Sequence, residues 1–185
     1  MKLAQVVRNF IPAELAEKHA TLMDDTLRVL PESALDDNQC PSSVSWYSLH
    51  TELLEDCCEK MEEITGLELT PTYDYCRIYP KGETLRRHSD RPSCQVSVTL
   101  NLRNKGGLWA FHWEGGSVEM EAGDAVVYRG CDVEHWREAN PAEEVHQVFL
   151  HYVDANGEYA DHGNEYLRQK PSHVHEALGT KMKKS

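Results

Sequence analysis

Along the chain the spacing of apolar positions changes once, near residue 67. Before that point, Phe10-Ile11-Pro12 leads into a segment where Leu15, His19, Leu22, Thr26 and Val29 or Leu30 recur at intervals of three and four, which predicts a helix over 13–30. Residues 31–43 hold a proline, Asp36-Asp37-Asn38 and Ser42-Ser43, and read as an irregular connection. A second helix is predicted over 49–65, with Leu53, Cys57, Met61 and Ile64 on one face and Gly66 at the C-terminal cap. Beyond residue 67 the period falls to two, and strands are predicted near 72–79, 94–102, 109–113, 117–121, 125–128, 135–138 and 145–153. Short strands separated by Gly, Pro and Asn turns point to a mainly β fold with flanking helices. Its core is a double-sheet jelly roll, or double-stranded β-helix, with the N-terminal helices packed on the outside of one sheet.

Length and composition narrow this picture. With 185 residues, 40% of them hydrophobic, the chain supports one well-buried core, so a single domain over 1–185 is expected. It divides into helical support at 1–66, a jelly-roll core at 67–154 and a C-terminal extension at 155–185, whose last five residues read as a frayed tail. Neither a signal peptide nor a membrane span is visible, so a soluble, cytoplasmic protein without a membrane partner is expected. The six cysteines are scattered and form no Cys-x-x-Cys pair, which fits free thiols better than disulfides, a zinc ribbon or an iron–sulfur site. A formal net charge of −12 argues against a nucleic-acid partner, since Arg86, Arg87 and Arg91 form the single compact basic group near the residues singled out below.

Those residues begin with His88-Ser89-Asp90. In an extended segment side chains two apart face the same way, so the imidazole and carboxylate form one nitrogen-and-oxygen anchor while Ser89 faces away. His135, opening a later strand, completes a 2-His-1-carboxylate set, the donor pattern of non-haem Fe(II) sites that leave coordination positions open. The plainer alternative is a surface aspartate and two structural strand histidines.

Around this set, Tyr79-Pro80-Lys81-Gly82, His88-Ser89-Asp90, Thr99-Leu100-Asn101, Gly106-Gly107, Gly123-Asp124 and His135 follow one another in an order that resembles the Fe(II)- and 2-oxoglutarate-dependent oxygenases, in particular their prolyl-hydroxylase-like branch. The resemblance spans about 72–154. It implies a hydroxylating dioxygenase that binds Fe(2+) through His88, Asp90 and His135, consumes 2-oxoglutarate and O2, and releases succinate and CO2. The acceptor it implies is an unidentified protein side chain or small molecule. Tyr79 occupies the place of a tyrosine that touches the cosubstrate, and Thr99 that of a residue meeting its distal carboxylate.

One part of the pattern is missing. Relatives carry an Arg or Lys roughly nine to twelve residues after the second metal histidine, where this chain reads Glu144, Val145, His146 and Gln147. Arg137, two residues after His135 and on its face, is the expected substitute, with Arg77 the alternative. The gap keeps two further readings open: a cupin-like metal enzyme that does not use 2-oxoglutarate, and a non-catalytic jelly-roll binding protein. Alternation also sets Tyr75, Arg77 and Tyr79 on one face, and Gln95, Ser97 and Thr99 on another, without deciding between His146 and the pair Gln147 and His151. His112 is a candidate for the substrate mouth, Trp136 is expected to pack inside the sandwich, and His173 and His175 read as solvated.

Overall fold

The computed structural model describes residues 2–29 and 39–165. Among the described residues, ten strands form two antiparallel sheets. The larger combines β1 (Ala4–Val7), β2 (Val44–Tyr47), β3 (Leu69–Pro80), β5 (Val96–Lys105), β8 (Ala125–Tyr128) and β10 (Glu144–Asp154) in the order β1-β8-β5-β10-β3-β2. The smaller runs β4-β9-β6-β7, from β4 (Leu85–His88), β6 (Ala110–Trp113), β7 (Gly116–Glu119) and β9 (His135–Arg137). Each sheet joins strands distant in sequence, as a double-stranded β-helix does.

The long central strand β10 pairs with β3 on one side and β5 on the other, and its alternation divides the molecule. Val148, Leu150 and Tyr152 point outward with Cys76, Ile78, Val98 and Leu100, and the helices cover them. Helix α1 (Ala13–Leu27) lies on β5, presenting Ala16, Ala20 and Met23; α2 (Thr51–Asp56) and α3 (Cys58–Thr65) lie on β3. This settles the open choice on β10. His146 faces α1, 2.8 Å from the Asp24 carboxylate, whereas Gln147 and His151 face the interior between the sheets. Arg103 fastens α1 from the same side, with hydrogen bonds to Glu17 and Asp24.

Three features depart from the sequence expectation. The 49–65 helix is broken at Cys57 into α2 and α3, although Gly66 ends it in the left-handed region as expected, with φ 71°. The segment 1–66 is not only helical, since it adds β1 and β2 as the two edges of the larger sheet. Four-residue strands offer two positions per face, too few for a period of two to show. Trp136 does not pack inside the sandwich: it lies half-buried on the outer face of the smaller sheet, stacked on His112 and beneath the Arg87 guanidinium. No helix of the described residues is long and apolar enough to cross a membrane. All six cysteines are free thiols.

The start of α2 is tied to the sheet by a buried carboxylate. Asp74 accepts hydrogen bonds from the His50 backbone N–H at 2.7 Å and the Thr51 hydroxyl at 2.9 Å, supplying the cap that no side chain of the helix itself provides. The His50 imidazole is buried, its Nδ1 3.0 Å from Nδ1 of His19, and burial, reinforced by His19, pushes its pKa down to about 3. A depressed histidine pKa makes the unfolded chain the better proton acceptor, so this stability contribution is complete above pH 6.5 and is lost as pH falls toward 3. Urea denaturation of wild type and His50→Gln at pH 7.5 and 5.0 should show the variant losing about 2 kcal/mol less on acidification.

Candidate metal centre and adjoining cavity

His88 ends β4 and His135 opens the neighbouring β9, and the two residues face each other in register with ring centroids 4.3 Å apart. Asp90 follows on a short extended segment pinned by its backbone N–H to the Gly130 carbonyl at 2.8 Å. Its Oδ1 lies 3.6 Å from Nε2 of each histidine. On the far side of each ring, Nδ1 meets a backbone carbonyl, that of Arg86 at 2.7 Å for His88 and that of Val133 at 3.2 Å for His135. The proton therefore resides on Nδ1, and both Nε2 lone pairs face the Asp90 oxygen. The three side chains converge on one point, the arrangement the metal reading requires.

Burial acts on all three. It pushes Asp90 up to about 7, against the Ser97 hydrogen bond and the Arg91 charge, and pushes His135 down to about 3, with His88 adding to the effect. Burial likewise lowers His88. Two neutral imidazoles and a desolvated carboxylate form a donor set that a borderline divalent cation satisfies and that no basic side chain between them occupies, among the described residues. Two other groupings of possible ligands are present. Of Asp24, Glu144 and His146, the carboxylates are already paired with Arg103 and Lys105 and the histidine with Asp24, and Asp90, Cys94 and His151 share the aspartate of the first.

The centre opens on a cavity of about 470 Å³ between the sheets. Tyr73, Tyr75, Arg77, Thr99, Phe149 and His151 line it from the larger sheet, with Leu85, Phe111 and Tyr128 opposite. Arg77 donates to the Tyr79 hydroxyl at 3.0 Å and to the Tyr75 hydroxyl at 3.2 Å. Tyr79 is itself fully buried behind the wall. Thr99 lies 3.4 Å from the Tyr128 hydroxyl.

Arg137 shares the inward face of His135, as alternation requires, but sits beyond the lining. It stacks on Trp109 and Phe111, 4.4 and 5.3 Å from their centroids, and donates to the Trp109 carbonyl at 3.1 Å. Its Nε and second terminal nitrogen have no hydrogen-bond partner among the described residues, and burial brings its pKa down to about 10. In the window expected to carry a cation, Glu144 pairs with Lys105, His146 faces α1, and the inward residues are Val145 and Gln147.

Several lining residues were not singled out from sequence. Tyr73 follows from the alternation that places Tyr75 inward, but Tyr47 and Cys94 lie on short or irregular segments without a readable period. Gln95 does not join the face of Ser97 and Thr99; it leaves the turn at 92–94 and caps Asp154 instead. His112 does not line the cavity, being on the outer face with Trp136. His173 and His175 lie outside the described residues.

No family model matches the chain and no curated protein matches it. Solved structures do. The chain is similar to a prolyl-4-hydroxylase of Pseudomonas putida at 20% identity, with a TM-score of 0.61 over 81% of this chain and 91% of that one. It is also similar to a prolyl hydroxylase of Trichoplax adhaerens, solved with a peptide fragment of hypoxia inducible factor, at 14% identity and a TM-score of 0.62 over 91% and 88% of the two chains. A non-haem, α-ketoglutarate-dependent carbocyclase from nogalamycin biosynthesis superposes with a TM-score of 0.66 at 11% identity, over 92% and 88%. The fold is therefore the double-stranded β-helix of the iron- and 2-oxoglutarate-dependent oxygenases.

Proposed function

We propose that the protein is an Fe(II)- and 2-oxoglutarate-dependent dioxygenase that hydroxylates a peptidyl side chain or a small molecule, with release of succinate and CO2. The observation that carries this reading is the convergence of His88, Asp90 and His135 on one point at the edge of an interior cavity, in this fold. His88 and His135 would hold the iron through Nε2 and Asp90 through Oδ1, leaving three positions of an octahedral ion for other ligands. When bound, iron supplies dioxygen activation coupled to oxidative decarboxylation of the keto acid.

The chain's own residues then position and shield. Arg77, with the Tyr79 hydroxyl at its side and Thr99 on the neighbouring wall, would take the distal carboxylate of 2-oxoglutarate. Arg137 adds positive charge from behind Tyr79. Tyr75, Phe111, Tyr128 and Phe149 close the sides with aromatic surface that excludes water. Tyr47, Tyr73 and Arg91, also on the lining, would face the acceptor.

A second reading, a metal enzyme that does not use 2-oxoglutarate, draws on the absence of an inward cation on β10 among its described residues. Iron-dependent conversion of 2-oxoglutarate to succinate by purified protein decides between them. Turnover above the metal-free background is the expected result. Metal uptake without any binding of 2-oxoglutarate would overturn the first reading in favour of the second.

A further inference from the structure

Behind the proposed metal centre, on the side away from both histidines, the second oxygen of Asp90 meets a buried polar pair. Ser97 Oγ lies 3.2 Å from Asp90 Oδ2, 2.9 Å from His151 Nδ1 and 3.0 Å from the Cys94 carbonyl. Ser97 is fully buried and His151 nearly so. Gly130 closes the same corner: a Cβ there would stand 2.5 Å from Asp90 Oδ2, 2.9 Å from Ser97 Oγ and 2.3 Å from the Cys94 carbonyl oxygen. Any larger residue would push into the carboxylate, so the corner is shaped around this one oxygen.

We propose that Ser97, oriented by His151, is a positioning residue that fixes the Asp90 carboxylate with Oδ1 toward the histidines and Oδ2 turned away, so that aspartate meets the metal through one oxygen. This rests on the metal centre proposed above. The direction of the protons follows from counting donors. Ser97 has one hydroxyl proton and four neighbours that could use it, the Tyr128 hydroxyl included, of which the carboxylate, ionised as a metal ligand, forms the strongest bond. The proton goes to Asp90, and His151 must then donate from Nδ1 to the serine oxygen. That leaves the His151 Nε2 lone pair directed away from Ser97, on a residue that lines the cavity. A charge-assisted hydrogen bond on Oδ2 opposes its swing toward the metal, which would keep the neighbouring position free for other ligands. Groups of this kind, behind a metal ligand, set affinity as well as geometry.

Cobalt(II) titration of the full chain, followed by visible absorption, tests the assignment with no dependence on turnover. Ser97→Val and Ser97→Thr have nearly the same bulk and differ in the hydroxyl, so any packing strain is common to both. The threonine variant is expected to bind cobalt within about threefold of wild type, and the valine variant about 10- to 100-fold more weakly, with an altered d–d band. His151→Phe should weaken binding by a smaller factor and add nothing to Ser97→Val, because both act through one hydrogen-bond chain. Equal cobalt affinity and identical spectra for the valine and threonine variants would overturn the positioning role alone. No cobalt uptake by wild type would instead refute the metal centre, and the positioning role with it.

Discussion

Asparagine in place of Asp90 should abolish iron-dependent turnover and lower metal affinity by more than about 100-fold, beyond what loss of a group behind a ligand produces. The substitution keeps the size of the side chain and its contact with Ser97, and removes the negative charge that faces both Nε2 atoms at 3.6 Å. Two neutral imidazoles alone offer neither the charge nor the third donor that a facial triad requires. Folding should not suffer. In metal-free protein the Asp90 charge is buried without a cation in contact, and its removal relieves a desolvation penalty, so the melting temperature of the variant holds or rises. Thermal unfolding in chelator, beside metal analysis of the purified variant, checks both halves. A variant that melts far below wild type, or that keeps full metal, contradicts the assignment.

Methionine in place of Arg77 should raise KM for 2-oxoglutarate on the order of 100-fold while kcat at saturation changes little, since removing one side of a buried charge pair costs a few kcal/mol of binding in ground and transition state alike. Arg77 lines the cavity and its guanidinium already gathers the Tyr75 and Tyr79 hydroxyls around a common point. Arg77→Lys keeps the charge but loses the planar fork, and should recover part of the affinity. Arg137→Met is the informative contrast. Its guanidinium lies behind the wall, stacked on Trp109 and Phe111, with two nitrogens unpartnered among the described residues. Replacing a buried charge with an apolar side chain of similar length should leave 2-oxoglutarate KM within about tenfold and stabilise the cosubstrate-free protein. Reversed results for the two variants, measured as succinate formation against 2-oxoglutarate concentration, would move the carboxylate site to Arg137.

The difference between these two arginines marks how far sequence could reach. A period of two places Arg77 and Arg137 inward alike, but depth along the strand depends on the partner sheet, and only the packing of Trp109 and Phe111 separates a lining residue from one behind it. The convergence of His88, Asp90 and His135 was legible because the first two sit within one strand end and the third opens another strand. On β10 every second residue faces inward, yet the phase was undetermined until α1 fixed which face is the outer one, by covering it with Ala16, Ala20 and Met23. Trp136 misled for another reason: its bulk suggests the core, while stacking on His112 and Arg87 gives it an equally good place outside. The pair Ser97 and His151 was half visible, as a polar position on an inward face, but a contact between residues 54 apart could not be read from either strand.

The smaller sheet ends at β4, so one of the three donors sits on its margin. The His88 side chain is 23% exposed, against 15% for Asp90 and 3% for His135. A cation entering the proposed centre would therefore meet this most exposed donor first. In the proposed centre, chelators and competing ions would act from the His88 side, at the border of the sheet rather than in its interior.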